Sequence, residues 1–143
     1  MDRMTLELAG AIVDGVLAAG REKKLMPLAA AVLDAGGQLV AFKREDDASL
    51  LRFDIAQAKA WGALGMGAGG RSLAKRAQDN PAFFASLAAL AGGRMIPNPG
   101  GVLVRGADGR VIGAVGVSGD AGANDEACAI EAILACGAVA DPG

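Results

Sequence analysis

The sequence predicts an α+β fold, an antiparallel sheet with helices packed on one side. Two observations carry this. Apolar runs of strand length come in pairs joined by short turns, Ala35-Gly36-Gly37 and Ala107-Asp108-Gly109. Segments with apolar residues at helical spacing stand before, between and after these pairs. The chain of 143 residues fits one domain with a real core, and no shift in composition marks a boundary.

Residues 5–24 read as an amphipathic helix, with Leu6, Ala9, Val13, Val16 and Leu17 on one stripe and Thr5 or Asp2 as its cap. Residues 28–34 form a buried strand and 38–43 return antiparallel to it. The charged stretch 44–47 leads into a helix over 49–66, capped by Asp47 or Ser49, with Leu51, Ile55 and Ala58 as its apolar stripe. Glycines from Gly65 to Gly70 break that helix, and a short one follows over 72–78. Asp79-Asn80-Pro81 stops the chain and restarts it, since Pro81 suits a first helical position. Phe83, Phe84, Leu87 and Leu90 continue the new helix to Gly92-Gly93. Residues 95–101 are too rich in Pro and Gly for a helix and lead into the strand 102–105, whose partner is 110–118. A last helix covers 123–140, and 141–143 are a frayed end.

Composition excludes several classes of function. Hydrophobic residues make up 52% of the chain, yet no run approaches the roughly 18 unbroken apolar residues of a membrane span. The surplus is mostly Ala and Val, which fits contact between subunits. Net charge is −2 and aromatic residues are 3%, too few for a nucleic-acid surface built on stacking. Polar residues interrupt the start at once, so no signal peptide is expected and the cytoplasm is the default compartment. Cys128 and Cys136 lie ~12 Å apart along one helix, too far to bridge, and read as reduced. The chain has no His and no Tyr, and Thr5 is its one threonine. A Ser-His-Asp triad, a His-based zinc site and a His-ligated haem are therefore out of reach. No metal site is expected.

Four blocks together resemble the GlcG/HbpS-like family, which is related to a C-terminal domain found with cobalamin adenosyltransferases. They are residues 32–42 (VLDAGGQLVAF), 54–60 (DIAQAKA), 99–104 (PGGVLV), and 113–119 (GAVGVSG) followed by Asp125-Glu126. The resemblance implies a profilin-like antiparallel sheet of about five strands with helices packed on it. It also implies a homo-oligomer, a tetramer or octamer, and binding or degradation of haem. Without His or Tyr, an axial ligand would have to be Met66, Met95, Cys128, Cys136 or water.

Four places offer binding or chemistry. At the junction of Ser118-Gly119 and the last helix, backbone amides suit an anion, while Asp125 and Glu126 serve either as acid–base groups or as helix-start charges. On the helix over 49–66, ~100° per residue puts Asp54, Gln57, Ala58 and Trp61 on one side and Arg52, Ala56 and Lys59 on another. Pro99-Gly100-Gly101 would make a stiff wall of bare backbone for a flat ligand. Arg44 and Arg94 are lone cations at element ends, fit to pair with a carboxylate. The foremost expectation is a small-molecule-binding protein that takes haem, another tetrapyrrole or a small organic acid beside Arg44, Lys59, Pro99, Gly100, Gly101, Ser118 and Gly119. The alternative is a cofactor-independent isomerase or lyase acting on a small carboxylic acid, with Asp54, Asp125 or Glu126 as base. A structural oligomer without a ligand is the third.

Overall fold

Burial along the strands decides how many layers the fold needs. The strand β1 (Ala29–Asp34) is buried at its first five positions and β3 (Gly101–Arg105) at its first four, with no alternation. Seven of the eight residues of β4 (Val111–Ser118) are buried as well. A sheet apolar on both faces must be covered on both. In the computed structural model, which describes residues 1–143, that is the arrangement. Helices α1 (Leu6–Glu22) and α5 (Gly122–Ala135) lie over one face, and α2 (Arg52–Met66) lies over the other. The expectation of helices on one side is corrected accordingly.

The sheet has five antiparallel strands in the order β2-β1-β4-β3-β5, with β2 spanning Leu39–Arg44 and β5 Val139–Asp141. The larger core sits between the sheet and α1/α5, where Val32, Val104, Val115 and Val117 meet Ile12, Val16, Ala129 and Ile133. On the opposite face, Leu33, Leu103 and Ala114 meet Ala60 and Ala63 of α2.

Small residues bring α2 unusually near the sheet. A Cβ placed on Gly116 would stand 1.7 Å from the Ala56 carbonyl oxygen, and one on Gly101 would stand 2.4 Å from that of Lys59. At these two positions the helix therefore rests directly on the backbone of β3 and β4.

Helix starts and stops follow local chemistry. Thr5 caps α1 by accepting from the Leu8 N–H at 3.1 Å. In the first hairpin, Asp34 Oδ1 accepts from the N–H groups of Gly36 and Gln38, and Gly37 turns the chain at φ +82°. The helix α2 begins at Arg52 without a side-chain cap, so neither Asp47 nor Ser49 plays the expected role. It ends at Gly67 in the left-handed conformation. Helix α3 (Gly70–Asp79) and helix α4 (Pro81–Leu90, with Pro81 in its first turn) follow, and Gly92 and Gly93 leave α4 with positive φ.

The last helix stops at Ala135 rather than 140. Gly137 at φ +80° turns the chain, and Val139 and Ala140, expected in the helix, pair with β3 together with Asp141, expected to fray. The open edge of β3 supplies the hydrogen-bond partners for this short strand. No helix is long and apolar enough to cross a membrane.

Replacing Gly116 with Ala forces α2 off the sheet. The expected cost is about 3 kcal/mol of unfolding free energy, read as a lower urea midpoint with an unchanged m-value.

Candidate functional site

The helix α2 carries two separate sets of polar groups, one on each side of its wheel. Arg52 and Lys59 turn toward the sheet. Arg52 Nη1 donates to Ser118 Oγ at 3.0 Å. Lys59 Nζ donates to the Val117 carbonyl at 2.9 Å and meets Asp125 Oδ2 at 3.3 Å. Lys59 and Asp125 are 3% and 1% exposed, so this ion pair is fully inside the protein.

Burial outweighs pairing for both partners. Desolvation raises the Asp125 carboxyl above its ordinary value, and the Lys59 charge pulls it only part of the way back. Desolvation lowers the Lys59 ammonium, partly offset by Asp125. The Asp120 N–H also donates to Asp125 Oδ1 at 3.0 Å.

The Pro99-Gly100-Gly101 loop and the Ser118-Gly119 turn enclose this pair. A Cβ on Gly100 would stand 2.8 Å from Lys59 Nζ, and the Gly100 carbonyl accepts from the Val117 N–H at 2.9 Å. Pro99 packs beside Gly122 at the start of α5. Ser118 is fully buried, and a Cβ on Gly119 would stand 2.2 Å from the Pro27 carbonyl oxygen. At the helix start, the Asp120 carboxylate accepts from the N–H groups of Met26 and Ala121 and from the Asn124 amide. Those three donors hold its carboxyl below the usual value, the Asn124 amide contributing most. The amides of this junction are thus met largely by the chain's own acids.

Glu126 takes a bidentate bond from Arg71, at 3.2 Å to Nε and 2.7 Å to Nη2. Arg71 had no signal in the sequence, because it meets Glu126 only through tertiary folding. Arg44 ends β2, on the other side of Ala29 from Ser118, and its Nη1 donates to the Ala48 carbonyl at 3.2 Å beside a shallow polar hollow.

The outer side of α2 is open. Asp54, Gln57 and Trp61 line a cavity of about 320 Å³ together with Gln38 and Arg94. Of the three acids proposed as bases, Asp54 alone faces such a space. Arg94 stacks over the Trp61 ring at 4.3 Å from its centroid, and its Nε donates to the Ala91 carbonyl at 2.8 Å. The stacked pair is a wall shared with a second, apolar cleft of about 300 Å³, lined by Met66, Leu87, Leu90 and Met95. Cys128 is buried in the core and Cys136 lies elsewhere, near the N-terminus.

These features define an α+β domain whose sheet is clad on both faces and two of whose open cavities adjoin the outer side of one helix. The chain belongs to the HbpS-like family, described as haem degrading protein HbpS-like, whose profile matches residues 4–134. Three solved structures are similar. PduOC in complex with haem shares 25% identity over 93% of this chain and 94% of its own, with a TM-score of 0.84. Protein ORFY of Klebsiella pneumoniae shares 28% over 95% and 91%, at 0.83. A doubly substituted HbpS from Streptomyces reticuli shares 26% over 94% and 88%, at 0.81. No functionally curated protein matches the chain.

Removing one partner of the buried pair leaves the other as an uncompensated charge. Lys59→Met is expected to cost about 3–5 kcal/mol, and the double change Lys59→Met/Asp125→Leu to recover most of it, by urea denaturation. The raised Asp125 carboxyl also fixes a pH dependence. Its folded form binds the proton more tightly than its unfolded form, so its contribution is fully present below the unfolded pKa and is lost as pH rises through the folded one. The stability of the native protein relative to Asp125→Asn should therefore fall as pH rises from 3.8 toward neutrality.

Proposed function

We propose that this protein binds a tetrapyrrole, haem being the member favoured by its family, in the apolar cleft between α2 and α4. The observation that carries the proposal is the meeting of Met66 and Met95 in one cleft. The two sulfurs come from segments far apart in the chain. A thioether from either residue would serve as a ligand for haem iron, and Leu87 and Leu90 would supply apolar cover. Arg94 at the cleft wall suits a propionate. The residues present thus fit haem without imidazole or phenol. The haem complex of PduOC, a structure of closely similar fold, supports the same ligand class.

A volume of about 300 Å³ lies at the lower end for a ligand pocket, so one chain covers the ring only in part. Leu90 and Phe83 of α4 are 81% and 50% exposed, and Leu50 and Leu51 are bare as well. We take these as the contacts of a homo-oligomer whose second copy completes the cover. Bound iron would supply the redox chemistry. The chain's own part is to orient the ring, pair its acid groups and keep water off its inner face.

Titration of the purified protein with haemin should give a saturable shift of the Soret band. Arg94→Gln should weaken binding about ten-fold, and Met66→Leu/Met95→Leu should abolish the spectral signature of a sulfur ligand. Absence of saturable binding to the native protein would remove the tetrapyrrole.

A further inference from the structure

The cavity on the other side of Trp61 has a chemistry unlike that of the apolar cleft. Asp54, Gln57 and Trp61 reach it from successive turns of α2, and Gln38 and Arg94 close it from the first hairpin and the loop after α4. It thus holds one anion and one cation. Neither Asp54 nor Arg94 joins a salt bridge within the chain. Arg94 commits its Nε to the Ala91 carbonyl, which orients the guanidinium and leaves its other N–H groups uncommitted to Ala91.

A further group is unmet. Gln57 Oε1 is buried and has no hydrogen-bond partner, the one such side-chain atom in the protein. A buried acceptor left alone is unfavourable, and a donor from a ligand would relieve it. The Asp54 and Gln57 side chains stand one helical turn apart, so both can accept from the same small cationic donor once the Gln57 amide turns toward the cavity. The ammonium of an amino acid has three N–H bonds to give, and its carboxylate matches a guanidinium with two parallel hydrogen bonds.

We propose that this cavity is a binding site for a small zwitterion of the amino-acid class. The ammonium is held by Asp54 and Gln57 Oε1, the carboxylate by Arg94, and the indole of Trp61 forms the wall. A free carboxylic acid leaves Asp54 without a counter-charge and adds repulsion, while a simple amine does the same to Arg94. The volume of about 320 Å³ suits a molecule of this size. Gly37 borders the site, where a Cβ would make ordinary contact at 3.4 Å from the indole nitrogen. Binding here does not require the tetrapyrrole, and the two ligands would compete for Arg94.

Trp61 is the single tryptophan, so its fluorescence reports on the cavity directly. The native protein is titrated with each of the twenty amino acids, with the matching amines lacking the carboxylate, and with the matching acids lacking the ammonium. Isothermal calorimetry on the same panel registers any binding that leaves the emission unchanged. At least one amino acid should bind saturably, with its amine and its acid about ten-fold weaker or worse. Asp54→Asn and Gln57→Leu should each weaken it by about the same factor, and Met66→Leu/Met95→Leu should leave it unchanged. The proposal is overturned if no amino acid binds by either method. It is equally overturned if the amine or the acid binds as well as the zwitterion, or if Asp54→Asn has no effect. Haemin binding to Asp54→Asn should match that of the native protein, so the two ligands succeed or fail separately.

Discussion

The seating of α2 directly on the backbone of β3 and β4 is the constraint from which the rest follows. Gly101 and Gly116 remove the side chains that would hold the helix away, and Lys59 answers the first from above, Ala56 and Ala60 the second. Close seating fixes the rotation of α2 about its own axis, because any turn would drive a Cβ into a carbonyl. Once that rotation is set, the direction of each polar side chain on the helix is set too. Lys59 must pass inward beneath Gly100 toward Asp125, and Asp54, Gln57 and Trp61 must face out.

The two sides then have opposite electrostatic characters. Inside, Lys59 and Asp125 answer each other in the absence of water, with Val117 and Asp120 supplying the remaining hydrogen bonds. Such a pair contributes less to net stability than its geometry implies, since both ions were better solvated outside. What it does secure is register. It ties α2 to the start of α5 across the end of β4, and the nearby Arg71–Glu126 pair ties α3 to the same place. Outside, charges of opposite sign remain apart from each other, and an amide oxygen is left unanswered.

Much of the fold was legible from local pattern. The two hairpins, the cap at Thr5, the restart at Pro81 and the separation of Asp54, Gln57 and Trp61 from Arg52 and Lys59 all follow from spacing and turn chemistry. What spacing could not show was anything settled by a distant partner. Asp125 lies 66 residues beyond Lys59 and reads alone as a helix-start charge. The third helix hid its Arg71 partner for Glu126 in the same way. Residues 139–141 carry too little pattern to announce a strand, and only the unfilled edge of β3 makes them one. The second helical layer was implicit in the unbroken apolar character of β1 and β4, which is the signature of a strand covered twice. Met66 and Met95 could be named as sulfur donors from composition, but their meeting in one cleft needed the folded chain.

The left-handed glycines on either side of the α3–α4 pair have a mechanical consequence. Gly67 precedes the pair, and Gly92 and Gly93 follow it. Glycine linkages absorb changes of backbone angle at little cost, whereas α2 is pinned to its bed. With α3 held to α5 by the Arg71–Glu126 pair, the freedom of these joints falls to α4, whose movement about Gly92 and Gly93 would widen the space above Met66 while the sheet stays still. The width of that cleft would then be governed by the glycine joint, and the sheet would act only as the anvil.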